Sequence, residues 1–328
     1  LVSCQGPVGP EGPIGPVGPT GPTGSDGEDG EDGTIKILFY ENQDAIDLAY
    51  SSDTIVIITS SYVVLSNDGI YWYGSQNNPF VNYLNAVAYG NGVFIVVNEC
   101  GDIYRSIDSG NNWNKVRDGD SVPLKSVAYG NGIFIAVGGD SSNSLILRST
   151  DNGLTWSNID NSIDPPANKR ISYANNKFFI TKNDIYDNCR IYISEDGIDW
   201  IQPEAGVNQN GAELYKVCYG NGVYMVADSY GYIYYSLSGD GWEILYPALP
   251  DISGCSCNGF TYGKNSFVAL IYYSINNEYK LHFPYNQYGW LFPAITLLKG
   301  DFIHYTSIYY ISWLNEGTYL IFYYIINP

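Results

Sequence analysis

Helical periodicity is missing from this 328-residue chain, and so is any run of 18 apolar residues. The second absence leaves no segment that could cross a membrane as a helix. Basic charge is scarce: 15 Lys and Arg stand against 34 Asp and Glu, for a formal net charge of −19. That balance excludes the basic footprint of a nucleic-acid binder and unaided adsorption to anionic lipid. Histidine occurs twice, at His282 and His304, without the spacing of a zinc-ligand set. No phosphate-cradling glycine loop, nucleophile elbow or HExxH pattern occurs. No metal site, cofactor or catalytic residue is therefore expected.

What is abundant is tyrosine (32 residues) and glycine (36), in a chain that is 45% hydrophobic. Rich Tyr, Ile and Val favour strands. Tyrosine and tryptophan recur with a period. A tyrosine ahead of a polar turn returns as Tyr50, Tyr89, Tyr129, Tyr173, Tyr219 and Tyr262. A tryptophan after a second turn returns as Trp72, Trp113, Trp156, Trp200, Trp242 and Trp290. A spacing of about 40–45 residues, with four short strands per unit, is the pattern of a β-propeller blade. Six units are complete. An apolar strand at 34–40 and two more around Asn315-Glu316-Gly317 remain at the chain ends. The expected fold is all-β: a seven-bladed β-propeller over 34–328 whose last blade is closed by both termini, with six blades as the alternative. Closure removes open sheet edges.

The first turn reads Gly-Asn-Gly in three units, which is hairpin chemistry because both residue types tolerate positive φ. The second turn reads Ser-x-Asp-(x)-Gly-x-x-Trp. It occurs as Ser66, Asp68, Gly69, Trp72; as Ser106, Asp108, Gly110, Trp113; as Ser149, Asp151, Gly153, Trp156; and as Ser194, Asp196, Gly197, Trp200. Short Ser and Asp side chains accept hydrogen bonds from turn amides. The tryptophan is placed to pack between neighbouring sheets. A fifth copy has Ser238 where Asp is expected, and a sixth, ending at Trp290, has lost both Ser and Asp.

These turns resemble the Asp-box of the BNR repeat, found in sialidase-type and photosystem-assembly-factor-like propellers and in many surface and phage proteins. The resemblance covers about 36–328. It implies a propeller whose boxes are structural and lie away from the ligand face. It does not imply sialidase activity here. Sialidases need three arginines around the substrate carboxylate and an early Arg-Ile-Pro; this chain has five arginines, Arg105, Arg117, Arg148, Arg170 and Arg190, and no Arg-Ile-Pro. Lysine does not replace bidentate arginine well. Another glycosidase would need two facing carboxylates.

The front of the chain is of another kind. Leu1-Val2-Ser3-Cys4 has the residue order that closes a bacterial lipoprotein signal, which makes Cys4 a candidate lipidation site and residues 1–5 an anchor segment. From Gly6 to Gly33 every third residue is glycine, ten in register, six of them followed by proline. That is the collagen pattern, in which only glycine fits the triple-helix axis. Nine such steps would span about 80 Å. Two readings of 6–33 stay open: a stalk that makes a homotrimer, or a single extended spacer. Its end carries Asp26, Glu28, Asp29, Glu31 and Asp32 with no basic partner.

Of the remaining cysteines, Cys218 replaces an inner-strand alanine and is expected to pack as a small apolar residue. Cys100, Cys189, Cys255 and Cys257 are loop or strand cysteines whose pairing the spacing leaves open.

The irregular loops fall opposite the boxes: 98–102, 138–145, 182–189, 228–232 and 274–278 between strands, and longer ones between units. Regular repeats presenting variable loops suggest a binding platform. Glu99, Asp140, Asp184, Tyr186, Asp228 and Tyr230 are its candidate residues, with tyrosine suited to stacking on sugar or anchoring a protein. The resulting expectation is a non-enzymatic recognition or adhesion protein. It would bind glycan or protein, and would be displayed extracellularly on a collagen-like stalk, touching membrane only through a lipid. The alternatives are a phage tail-fibre or receptor-binding protein on a virion tail, and a divergent glycoside hydrolase.

Overall fold

A computed structural model describes residues 36–41, 45–140, 144–159, 168–183, 190–203, 212–245, 255–263, 266–274, 278–286, 289–299, 306–313 and 318–325. Cys4, the Gly-x-y segment, Asp184, Tyr186 and Cys189 lie outside them. The described residues form strands and turns, and no helix.

Six sheets follow one another along the chain, each an antiparallel meander. Sheet 2 is the clearest: Leu84–Gly90, Val93–Asn98, Ile103–Ser106 and Asn114–Arg117, paired in that order. Sheets 1, 3, 5 and 6 repeat this four-strand order. Sheet 4 has three strands, ending at Arg190–Ser194, with an isolated bridge from Ile193 to Ile201 in place of the fourth. The first strands of successive sheets lie side by side. They curl far enough that the Lys216 ammonium, from sheet 5, reaches the Asp47 carboxylate of sheet 1 at 3.5 Å. The chain ends join each other: Lys36–Glu41 runs parallel to Thr318–Ile325, which pairs antiparallel with Thr306–Trp313.

The hairpin turns have a direct cause. Between the first and second strands stand two residues only, Asn91-Gly92, with φ of 48° and 78°. Positive φ at both positions is the type I′ turn whose twist matches paired strands. Asn131-Gly132 and Asn221-Gly222 repeat it, and Asn175-Asn176 does so without glycine. The preceding glycine, Gly90, is not part of the turn. It ends the first strand, and a Cβ there would stand 2.0 Å from Cγ of Tyr129 in the next sheet. Gly130 meets Tyr173, and Gly220 meets Tyr262, in the same way. The Gly-Asn-Gly motif thus combines one residue of packing with two of turn.

The core lies between sheets. Second strands such as Val93–Asn98 and Ile133–Gly139 are buried at every residue, so they read as continuous apolar runs. Val56 and Leu65 of sheet 1 meet Phe94, Tyr104 and Trp113 of sheet 2 in one cluster. Trp156 and Trp242 pack against the preceding sheet likewise. Cys218 borders the core between sheets 5 and 6, where burial pushes its thiol up to about 12. Cys100, Cys218 and Cys257 are free thiols.

Candidate functional site

The ring of sheets has two edges, and their polar groups are used differently. On one edge stand the hairpin turns and the Ser-x-Asp turns. Ser106 Oγ donates to Asp108 Oδ1 at 2.8 Å and accepts from Gly110 N at 3.0 Å, while Asp108 Oδ1 accepts from Asn112 N at 2.9 Å. Ser149 and Asp151 repeat this with Gly153 and Thr155. Ser66 with Asp68, and Ser194 with Asp196, brace the shorter turns around Gly69 and Gly197. The Thr155 hydroxyl and amide hold the Asp151 carboxyl down to about 2. Where Ser238 replaces Asp, the Ser236–Gly239 bond survives at 2.8 Å.

The long and short forms treat their tryptophans differently. In the long form Trp113 Nε1 donates to Gly110 O at 2.8 Å, and Trp156 Nε1 to Gly153 O at 3.1 Å. In the short form Trp200 Nε1 and Trp242 Nε1 are buried without a partner. Trp72 joins the cluster inside sheet 1.

Arginines knit this edge. Arg105 Nε donates to Asn152 O and Arg148 Nε to Asp196 O, each reaching the turn of the next sheet at 2.8 Å. On the other edge Arg117 donates to Gly101 O, and Arg170 to Leu214 O at 2.9 Å. Four of the five arginines thus hold backbone carbonyls in four places rather than converging on one site. Arg190 stands half-buried in sheet 4.

The opposite edge carries the irregular loops, several folded on a buried acceptor at the end of the second strand. Thr59 Oγ1 accepts from Tyr62 N at 3.1 Å. Asn98 Oδ1 accepts from Cys100 N and Asp102 N at 3.0 and 2.8 Å. Asp228 Oδ1 accepts from Tyr230 N and Tyr232 N at 3.0 and 2.9 Å, and its Oδ2 from the Tyr234 hydroxyl at 3.0 Å. Asp228 is therefore not a surface residue as expected: it is 0% exposed, and it braces its own loop. Burial raises its carboxyl to about 6 against the pull of those hydrogen bonds.

Of the other expected residues, Tyr230 is exposed and Asp140 half-buried beside the undescribed 141–143. Glu99 accepts from Asn85 and from Lys125, the latter at 2.6 Å. These residues belong to different loops and do not form one cluster. Among the described residues no three His, Cys, Asp or Glu side chains gather as a metal-ligand set.

A different group stands out instead. Residues 80–83 form part of the loop between sheets 1 and 2. The Phe80 ring packs edge-on against Tyr104 and Trp113, at 5.0 and 5.6 Å between centroids. Asn98 Nδ2 donates to Val81 O at 2.7 Å, Val81 N donates to the Tyr104 hydroxyl, and Glu99 N donates to Tyr83 O. Anchored on both sides, this loop exposes Val81 and Tyr83, 55% and 68% accessible. Leu84 N bonds Ser60 O, which brings the Tyr62 loop alongside. The signal in the sequence was an apolar Phe-Val-Asn-Tyr inside an Asn- and Pro-rich loop.

No family model matches the chain, and no curated protein matches it in sequence. Solved structures do match its shape. YCF48 bound to D1 peptide superposes with a TM-score of 0.59 over 86% of this chain and 94% of that one, at 14% identity. The WD40 β-propeller domain of Doa1 gives 0.60 over 87% and 90%, also at 14% identity. This chain is a β-propeller. A quinoprotein alcohol dehydrogenase-like protein from Bacteroides thetaiotaomicron gives 0.56 over 78% of this chain and 66% of that one, at 11% identity. At such identities the likeness is one of fold, and the six sheets are six propeller blades.

Proposed function

We propose that this propeller is a non-enzymatic recognition module that binds a protein or glycan through its loop edge. It is displayed on the Gly-x-y stalk of 6–33, at a surface to which Cys4 fastens it. The sheet made from both chain ends closes the ring as a seventh blade, and the Ser-x-Asp turns are Asp-boxes with a structural role. The observation that carries this reading is the unequal use of the two edges. The turn edge spends its Ser, Asp and Arg groups on holding turns and neighbouring blades together. The loop edge holds out Tyr62, Val81, Tyr83 and Tyr230 on braced loops. Arginines tied to carbonyls leave no described guanidinium cluster for a substrate carboxylate, which supports binding over sialidase-like hydrolysis. The neighbour solved with a bound peptide supports a protein partner.

The test is a screen of the full chain against arrayed glycans and extracellular peptides. Tyr83→Ala is compared with Ile107→Ser, an exposed turn-edge change. Loss of the captured ligand with the first variant alone supports the loop edge. Loss with the second alone, or turnover of a captured glycan, overturns the reading.

A further inference from the structure

We infer that the partner docking at 60–62, 80–83 and 118–120 is a Lys- and Arg-rich extended polypeptide. The inference rests on the loop-edge reading and names its partner class.

The patch is built before anything binds. Phe80 pins its centre into the core between blades 1 and 2, and the Val81 carbonyl and amide are both bonded to blade 2 side chains. Its neighbour loop is held as firmly: Gly119 N donates to Asp102 Oδ1 at 2.8 Å, and Ser121 N donates to Cys100 O at 3.1 Å. Since Glu99 N bonds Tyr83 O, the two loops are adjacent through residues 99–100. Little ordering remains for a partner to impose, which favours affinity from a few contacts.

The charges are layered. Lys115, Arg117 and Lys125 lie low, with side chains 33%, 20% and 29% exposed, each paired with a carboxylate. The carboxylates of Asp118 and Asp120 stand above them, 91% and 60% exposed. A partner arriving from solvent therefore meets carboxylates and a tyrosine ring first. An acidic partner would face those carboxylates within a chain of net charge −19. A basic one gains steering from that field and a cation–π contact on Tyr83. Val81 and Tyr62 supply the apolar contact that a long Lys or Arg stem covers.

The test uses the full chain with three labelled probes followed by fluorescence anisotropy: a twelve-residue peptide alternating Lys and Arg with Gly, its Glu and Asp counterpart, and a neutral oligosaccharide. The basic peptide should bind, and affinity should fall about tenfold when salt rises from low to physiological strength. Tyr83→Ala should weaken it about tenfold, as loss of an aromatic anchor does. Asp118→Asn with Asp120→Asn should weaken it about fivefold and flatten the salt dependence. Glu195→Gln with Asp199→Asn, on the turn edge, should leave binding unchanged. Equal loss from that turn-edge pair would reduce the effect to diffuse attraction and overturn the inference. Binding of the oligosaccharide or the acidic peptide that Tyr83→Ala abolishes would overturn the partner class while keeping the loop-edge reading. Absence of binding by all three probes, with ligands captured elsewhere on the molecule, would overturn both.

Discussion

The ring of Tyr129 fills the space that a side chain on Gly90 would need. A Cβ built on Gly90 stands 2.0 Å from Tyr129 Cγ, nearer than any real contact. Tyr129 also packs at a tilt against Phe134, its cross-strand partner, at 4.6 Å between centroids. The tyrosine is thus clamped from its own blade and covers the backbone of the blade before it. Blade 4 differs, carrying Ala174 at the glycine position and Tyr219 packed against the same cluster.

Gly90→Ala should therefore destabilise the propeller by about 1–3 kcal/mol, the usual cost of overpacking. Tyr129→Ala alone removes a ring packed against Phe134 and should also be costly. Combined, the two should cost less than their sum, because the alanine gains the vacated space. Urea midpoints of the two single variants and the double variant measure the coupling. Strict additivity would show that the two residues do not meet.

Asp151→Ala should cost about 1–2 kcal/mol, by the measure of losing a side-chain cap. Asp151 accepts from Ser149 Oγ and from the amides of Leu154 and Thr155. Ligand capture at the loop edge should be unaffected. A binding defect at unchanged stability would place the functional edge on the wrong side.

The two tryptophan classes separate experimentally. Trp113→Phe gives up a buried bond to Gly110 O, while Trp200→Phe removes a buried N–H that has no partner. Truncation of the ring costs both. The first should cost about 1 kcal/mol more, since the Gly110 carbonyl is left unpaired. Equal losses in thermal unfolding would show that the indole bond carries no weight.

Asp228 predicts an unusual pH response. Its carboxyl is raised from an ordinary value near 3.8 to about 6. A raised folded-state value means the folded chain holds the proton more tightly than the unfolded chain. The group's contribution is full below about pH 4 and is lost as pH rises through 6. Asp228→Asn keeps the acceptor for Tyr230 N and Tyr232 N, the role Asn98 Oδ1 fills in blade 2. It should stabilise the protein at pH 7 by about 2 kcal/mol and remove that slope between pH 4 and 6. An unchanged slope would show that another group titrates there.

The repeat, the turn chemistry and the six blades were legible in the sequence because each unit restates the same local physics. Asn91-Gly92 had to be a tight turn, and Val93–Asn98 had to be buried on both sides. Contacts between units were harder to read. Nothing in the first strand says that Gly90 belongs to Tyr129, 39 residues on, or that Lys216 meets Asp47 across the ring. Asp228 was misplaced for a related reason. A carboxylate in a loop reads as solvated, and only the fold shows two loop amides and a strand tyrosine hydroxyl turned inward to bind it. Val81 and Tyr83 were passed over because exposure is decided by Phe80, the neighbour that takes the buried place.

The tyrosine-on-glycine contact points one way around the ring. Blades 3, 4 and 6 lend their rings backwards, so Gly90 waits for Tyr129, Gly130 for Tyr173 and Gly220 for Tyr262. During synthesis a blade can pair its own strands as soon as it emerges, yet its inner edge stays uncovered until the following blade arrives. A duplicated or transplanted blade would fit if it brought a tyrosine for the blade behind it and a glycine for the one ahead.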